Sequence, residues 1–127
     1  MTTLFRDHNT LARVGIYSYG LKSPQPPETL YEIDVSNLRD PQGQKNLRSL
    51  DGRDSQVQAW VLGDSRSAAI ISNVSLIVTD LTRRVNWFTI GVRDVHGKYT
   101  APAMAESIAA SLVACGIDVI VRHYGLE

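Results

Sequence analysis

The stretch from Trp87 to Arg122 restricts what this 127-residue chain can fold into more than any other. Val85 to Val92 is rich in β-branched and aromatic residues, as a buried strand requires. A polar loop with Arg93, Asp94, His96, Gly97 and Lys98 follows, then an Ala-rich segment from Pro102, then Ile117 to Val121 as a second strand. Strand, loop, helix and strand make a βαβ unit, which predicts a single small α/β domain with a mostly parallel sheet flanked by helices. Such a unit aims its loop at the carboxyl edge of the sheet, where the next helix offers unpaired N–H groups and the positive end of its dipole.

Pro102 suits a first helical turn, whose N–H groups lack helical partners anyway. Met104, Ile108, Leu112 and Cys115 recur at helical spacing and predict a core-facing stripe, with Gly116 as the stop. On that stripe Cys115 reads as a buried structural thiol, and a single cysteine has no intrachain disulfide partner. The 13 basic and 13 acidic residues balance, which argues against a general polyanion surface but leaves room for a local basic patch. Nothing resembles a membrane helix, and Arg6, Asp7, His8 and Arg13 interrupt any signal-peptide core, so a cytoplasmic protein without membrane contact is expected.

Residues 1–12 read as a polar, weakly ordered lead-in to a domain over 13–127. Arg13 to Tyr19 is the first strand of that domain, followed by a loop fixed by Pro24, Pro26 and Pro27, and Leu30 to Val35 is the second. Asp54 or Ser55 caps a short helix carrying Val57, Trp60 and Val61 inward. Gly63 to Ser65 breaks the chain and caps a longer helix with Ile70, Val74, Ile77 and Leu81 on its apolar side. Arg83 and Arg84 close that helix, serving either its dipole or a basic patch. The four strands are expected near 13–19, 30–35, 85–92 and 117–122. The scattered histidines offer no close pair for zinc, and neither a metal nor another cofactor is predicted.

Several short segments, taken in order, resemble the C-terminal domain of the RapZ family of RNase adapter proteins. They are Ser18 to Lys22, Ile33 to Val35, Leu47 to Gly52, Ile90-Gly91, Gly97-Lys98, Ala105-Glu106, and Arg122-His123 with Leu126-Glu127. The resemblance implies an α/β fold like part of a phosphofructokinase, binding of small regulatory RNA and an amino-sugar phosphate, and self-association. The family's N-terminal P-loop kinase-like domain has no counterpart in these 127 residues, so its nucleotide hydrolysis is not expected here. In the family loop Gly-Lys is followed by His-Arg-Ser, which fall on Tyr99, Thr100 and Ala101, and a family arginine falls on Ser36.

The expected function is a non-catalytic binding or adapter module for a small phosphorylated ligand, either a sugar phosphate or a nucleotide, with structured RNA as a further partner and homo-oligomeric assembly. The alternatives are a small phosphate-handling enzyme and an oligomeric scaffold without a ligand site. The pocket is expected between the loop after the first strand and the Arg93 to Tyr99 loop. Gly97 would let backbone approach a ligand and Lys98 supply charge. Arg93 and His96 would replace lost family groups, with Asp94 or Asp34 orienting the histidine. Asp34 would also accept from a ligand hydroxyl, and Lys22 would add a cation. Lys45, Arg48, Arg83 and Arg84, with Lys22 and Arg39, are the RNA candidates, and His123 reads equally as structural or functional.

Overall fold

A computed structural model of the chain describes residues 2–5 and 13–127. Its elements are β1 (Thr2–Phe5), β2 (Val14–Gly20), β3 (Tyr31–Asp34), α1 (Ser55–Leu62), α2 (Ser65–Thr82), β4 (Phe88–Asp94), α3 (Thr100–Ala114) and β5 (Val119–His123). Short 3₁₀ turns span Pro41–Gly43 and Tyr124–Leu126. The sheet runs β1-β5-β2-β4-β3. β2, β3, β4 and β5 are mutually parallel, as the βαβ reading requires, and β1 pairs antiparallel with β5. The lead-in therefore contributes an edge strand, and its residues 6–12 lie outside the described residues.

Alternation along the strands decides which side chains meet the helices. Val14, Ile16, Ile90, Val92, Val119 and Val121 are fully buried and join Met104, Ile108 and Leu112 of α3 in one core. Val57 and Val61 of α1 and Val74 and Val78 of α2 complete it, so the three helices share one face of the sheet. The opposite face carries Tyr17, Thr89, Arg93, Ile120 and Arg122, all half-exposed, with Trp87 and Leu30 exposed at its margin. The Pro-rich loop crosses only part of that face: Thr29 lies near Gly91, Leu30 N–H donates to Thr89 O at 2.9 Å, and Tyr19 is buried.

The caps follow the expected side chains. Asp54 accepts from Gln56 N–H at the start of α1, and Asp64 from Arg66 N–H at the start of α2. Gly116 ends α3 at a φ of +83°, where a Cβ would be strained. Two apolar expectations need correction. Cys115 is exposed, because the stripe drifts off the core as α3 ends and the thiol sits at the cap. Ile77 is exposed because α2 turns Val74 and Val78 inward instead. Trp60, carried inward as expected, packs half-buried against the core with its ring covered by the Arg39 guanidinium at 3.6 Å. At the C-terminal end of α2, the Arg13 side chain donates to Thr82 O and, at 3.3 Å, to Val85 O, while the backbone N–H groups of Arg83 and Arg84 donate to Asp80 O and Leu81 O.

Candidate functional site

Strand β4 runs two residues further than its composition suggests, and this reassigns the candidate loop. Arg93 and Asp94 are strand residues, so they point to opposite faces of the sheet. Arg93 turns to the helix-free face, where Glu32 Oε1 lies 3.1 Å and Asp34 Oδ2 3.2 Å from its guanidinium. Both carboxylates come from β3, whose Asp34 sits beside Arg93 in register. Asp34 is further engaged by the Ser36 hydroxyl at 2.6 Å and the Ser36 N–H at 2.9 Å. Those Ser36 bonds, helped by Arg93, hold the Asp34 carboxyl below the usual range. Neither Arg93 nor Asp34 orients His96.

Asp94 turns to the helix side and is 8 % exposed. Its Oδ1 accepts from Gly97 N–H and its Oδ2 from Ala101 N–H at 2.9 Å. Tyr99, at the capping position of α3, makes no side-chain cap, so the last residue of β4 caps the helix from outside it. Burial pushes the Asp94 carboxyl up, and Asp40 adds to this, although the two backbone N–H groups and His96 act the other way.

The loops after β2 and β4, where the sequence placed the pocket, are hydrogen-bonded to each other through their backbones. Leu21 N–H donates to Asp94 O at 3.0 Å and Lys22 N–H to Val95 O at 3.1 Å. Gly97, at a φ of +72°, packs against backbone of Gly20 and Gly125. Its missing side chain serves the meeting of three chain segments. Lys22 is exposed beyond this zipped pair.

The recess lies on the other side of the β4–α3 loop. A cleft of about 40 Å³ is lined by Ser36, Asp40 and Gln42 on one wall and by Asp94, Val95, His96, Lys98, Tyr99 and Thr100 on the other. His96 and Lys98 are therefore brought together, while Arg93, Asp34 and Lys22 are not. Lys98 Nζ reaches Arg48 O at 3.4 Å, one weak bond for a group with three donors. Tyr99 Oη donates to the same carbonyl at 2.8 Å, and Gly52 N–H to Lys98 O at 2.8 Å, so the Leu47 to Gly52 turn latches onto the start of α3. The N–H groups of Lys98, Tyr99 and Thr100 find no protein acceptor among the described residues.

The RNA candidates do not form one surface. Lys22, Lys45 and Arg48 lie toward the carboxyl edge, while Arg83 and Arg84 follow α2 at the amino end of β4. At about 3.3 Å per residue, the seven residues of β4 separate the two groups by roughly 20 Å. Arg84 pairs with Asp80, and Arg39 is occupied by Trp60.

One chemical constellation escaped the sequence reading. Ser18 Oγ lies 2.5 Å from His123 Nδ1, and His123 Nε2 lies 2.9 Å from Glu106 Oε1. The carboxylate only accepts, so Nε2 donates, and in the neutral imidazole Nδ1 accepts from the serine hydroxyl. The order of groups is that of an activated nucleophile. Ser18 and His123 are nevertheless both fully buried. The chain of bonds ties β2, β5 and α3 together. The available signal was alternation, which puts Ser18 in phase with Val14 and Ile16, and His123 in phase with Val119 and Val121. Among the described residues no cluster of three His, Cys, Asp or Glu side chains is arranged to hold a metal ion.

Comparison with known proteins bears on this geometry. The chain is 32 % identical over its whole length to a nucleotide-binding protein of Dinoroseobacter shibae, covering 44 % of that protein. It is 30 % identical, over 90 % and 91 % of its length, to nucleotide-binding proteins of Rubrobacter xylanophilus and Corynebacterium diphtheriae, covering 40 % of each. The chain thus spans well under half the length of these relatives. The sequence profile of the RapZ C-terminal domain matches residues 12–127, and the chain belongs to that family.

Proposed function

We propose that this domain is a non-catalytic binding module that holds a small phosphorylated ligand, a sugar phosphate or a nucleotide, at the mouth of α3. The observation that carries this reading is the cleft that His96, Lys98, Tyr99 and Thr100 line, where the N–H groups of Lys98, Tyr99 and Thr100 have no acceptor among the described residues. Successive amides at a helix N-terminus beside a cation suit oxygen anions. The name nucleotide-binding protein carried by the relatives agrees with a phosphorylated ligand, although the matched part is only 40–44 % of their length. The binding reading is preferred to an enzyme because Ser18 and His123, which have the right order for nucleophilic chemistry, are sealed from solvent.

Thermal-shift screening of sugar phosphates and nucleotides tests this. A phosphorylated compound is expected to raise the melting temperature of the native chain, and Lys98→Ala to reduce its affinity about tenfold, the scale of one charge-assisted hydrogen bond. Stabilisation that survives Lys98→Ala unchanged places the site elsewhere, and turnover of a hit makes the protein an enzyme.

A second role is favoured by the helix-free face of the sheet. Parallel sheets are normally covered on both faces, yet here Trp87 and Leu30 stay exposed beside a groove of about 520 Å³ that Tyr17 and Thr89 also line. A second copy of the chain is proposed as its cover, since the zero net charge offers little repulsion between copies.

A further inference from the structure

The loop between β2 and β3 has a period of three residues. Proline fixes its own φ near the polyproline II value and pushes the residue before it into the extended region, so Pro24, Pro26 and Pro27 bias all of Ser23 to Pro27 toward that helix. Burial follows the same period: Ser23, Pro26 and Thr29 are half-buried, and the residues between them are exposed. One edge of the loop therefore leans on the sheet, where Thr29 lies near Gly91. A second edge, with Pro24, Pro27 and Leu30, is apolar and exposed. The third runs from Lys22 through Gln25 to Glu28, also exposed.

Hydrogen bonds order this ridge before any contact is made. Gln25 Nε2 donates to Gly20 O at 2.8 Å and to Ser23 O at 2.9 Å, Lys22 N–H is bonded to Val95 O, and Leu30 N–H to Thr89 O. A ridge ordered in advance loses little freedom on docking. The surface that fits a proline ridge is a groove lined by aromatic rings. Such a groove lies beside it, the recess of about 520 Å³ on the helix-free face that Tyr17, Trp87 and Phe88 line. The Tyr17 and Trp87 rings meet over Gly15, where a Cβ would lie 3.0 Å from one and 3.2 Å from the other. In its own chain the ridge is the wall of this groove, through Pro27 and Leu30, so it can enter such a groove only on another copy.

Building on the reading of a second copy as the cover of this face, we propose that the two copies interlock, the Pro24 to Leu30 ridge of each lying in the aromatic groove of the other. A wall and a groove side by side on one surface are self-complementary about a two-fold axis. An axis across the ridges runs them antiparallel, which brings Lys22 of each copy toward Glu28 of the other. Among the described residues neither the Lys22 ammonium nor the Glu28 carboxylate has a partner within its own chain. The two opposite charges at the ends of the ridge thus set its register in the contact.

The test reads assembled mass by light scattering over a dilution series at low salt, with circular dichroism to verify each fold. Lys22→Glu and Glu28→Lys each place like charges together at both ends of the contact, and either alone should weaken assembly about fivefold or more. Mixed together, the two variants restore opposite charges at both ends and should pair as tightly as the native chain does with itself. Pro24→Ala combined with Pro27→Ala should also weaken assembly, by removing the rings and loosening the ridge. If Trp87→Glu abolishes assembly while the charge reversals and the double alanine variant leave it unchanged, the second copy stays on this face and the ridge falls. Charge reversals that weaken assembly but do not recover on mixing overturn the antiparallel register and the interlocking with it. A native chain that stays single, or an assembly that survives every one of these variants, removes both readings.

Discussion

His123 has no exposure, yet both of its ring nitrogens are engaged, by Ser18 and by Glu106. A buried polar group that loses its partner keeps its desolvation cost, on the order of 1–3 kcal/mol. His123→Ala should therefore lower unfolding stability in urea by at least that amount, while ligand affinity at the Lys98 cleft stays unchanged in whatever fraction remains folded. Loss of binding at unchanged stability would instead make His123 a ligand group. Asp64 gives a pH-dependent counterpart. The Arg66 side chain first, then the Arg66 and Arg39 backbone N–H groups, hold its carboxyl far below the ordinary value of 3.8. A depressed carboxylate contributes stability that is present above its unfolded pKa and is lost as pH falls through the folded value. Asp64→Asn should thus be less stable than the native chain at pH 6, and the gap should narrow below pH 3.8, as urea midpoints across that range will show. Asp64 was legible as a cap because Gly63 and Ser65 flank it. Asp94 was not, because its partners Gly97 and Ala101 become partners only once β4 is seen to extend through Asp94 and the loop folds back.

Periodicity worked where an element packs on one side along its whole length. Met104, Ile108 and Leu112 of α3 were readable from spacing, and all three are fully buried against β2, β4 and β5. Shortening one of them leaves a cavity under the helix that carries the cleft. Ile108→Ala should lower stability by about 2–5 kcal/mol in chemical denaturation, and a loss below 1 kcal/mol would mean the sheet collapses onto α3. The same periodicity failed at ends and edges. Cys115 continues the stripe in sequence but sits where α3 stops, and β1 pairs only because β5 offers a free edge, which four residues cannot announce by themselves. The candidate site was half legible for a related reason. Lys98 and His96 follow from the loop's position after a parallel strand. The separation of Arg93 from Asp94 depends instead on where β4 ends, a two-residue matter that composition does not resolve.

At the scale of the whole molecule the cleft and the helix-free face are separate surfaces, one at the carboxyl edge on the helix side and the other across the sheet. Ligand binding and self-association are then expected to be separable by mutation. Trp87 and Leu30 stand exposed around the groove that Tyr17, Phe88 and Thr89 line, whereas the neighbouring part of the face is closed by the Pro-rich loop and by Arg122, stacked on Tyr124 at 4.7 Å. A second copy seated there would bury the Trp87 ring, and a charge at that position would stay unpaired in the contact, which disfavours association strongly. Light scattering of the native chain at micromolar concentration should accordingly return a multiple of its 14.0 kDa mass. Trp87→Glu should return a single chain with an unchanged circular dichroism spectrum and with the Lys98-dependent ligand affinity intact. Conversely, Lys98→Ala should leave the assembled mass unaltered. An assembly that persists in Trp87→Glu would move the contact to another surface, and the groove between α2 and α3, where Leu76 is exposed beside Ile71, would be the next place to introduce a charge. Joint loss of binding and assembly in a folded Trp87→Glu variant would show that the two surfaces are coupled through the sheet.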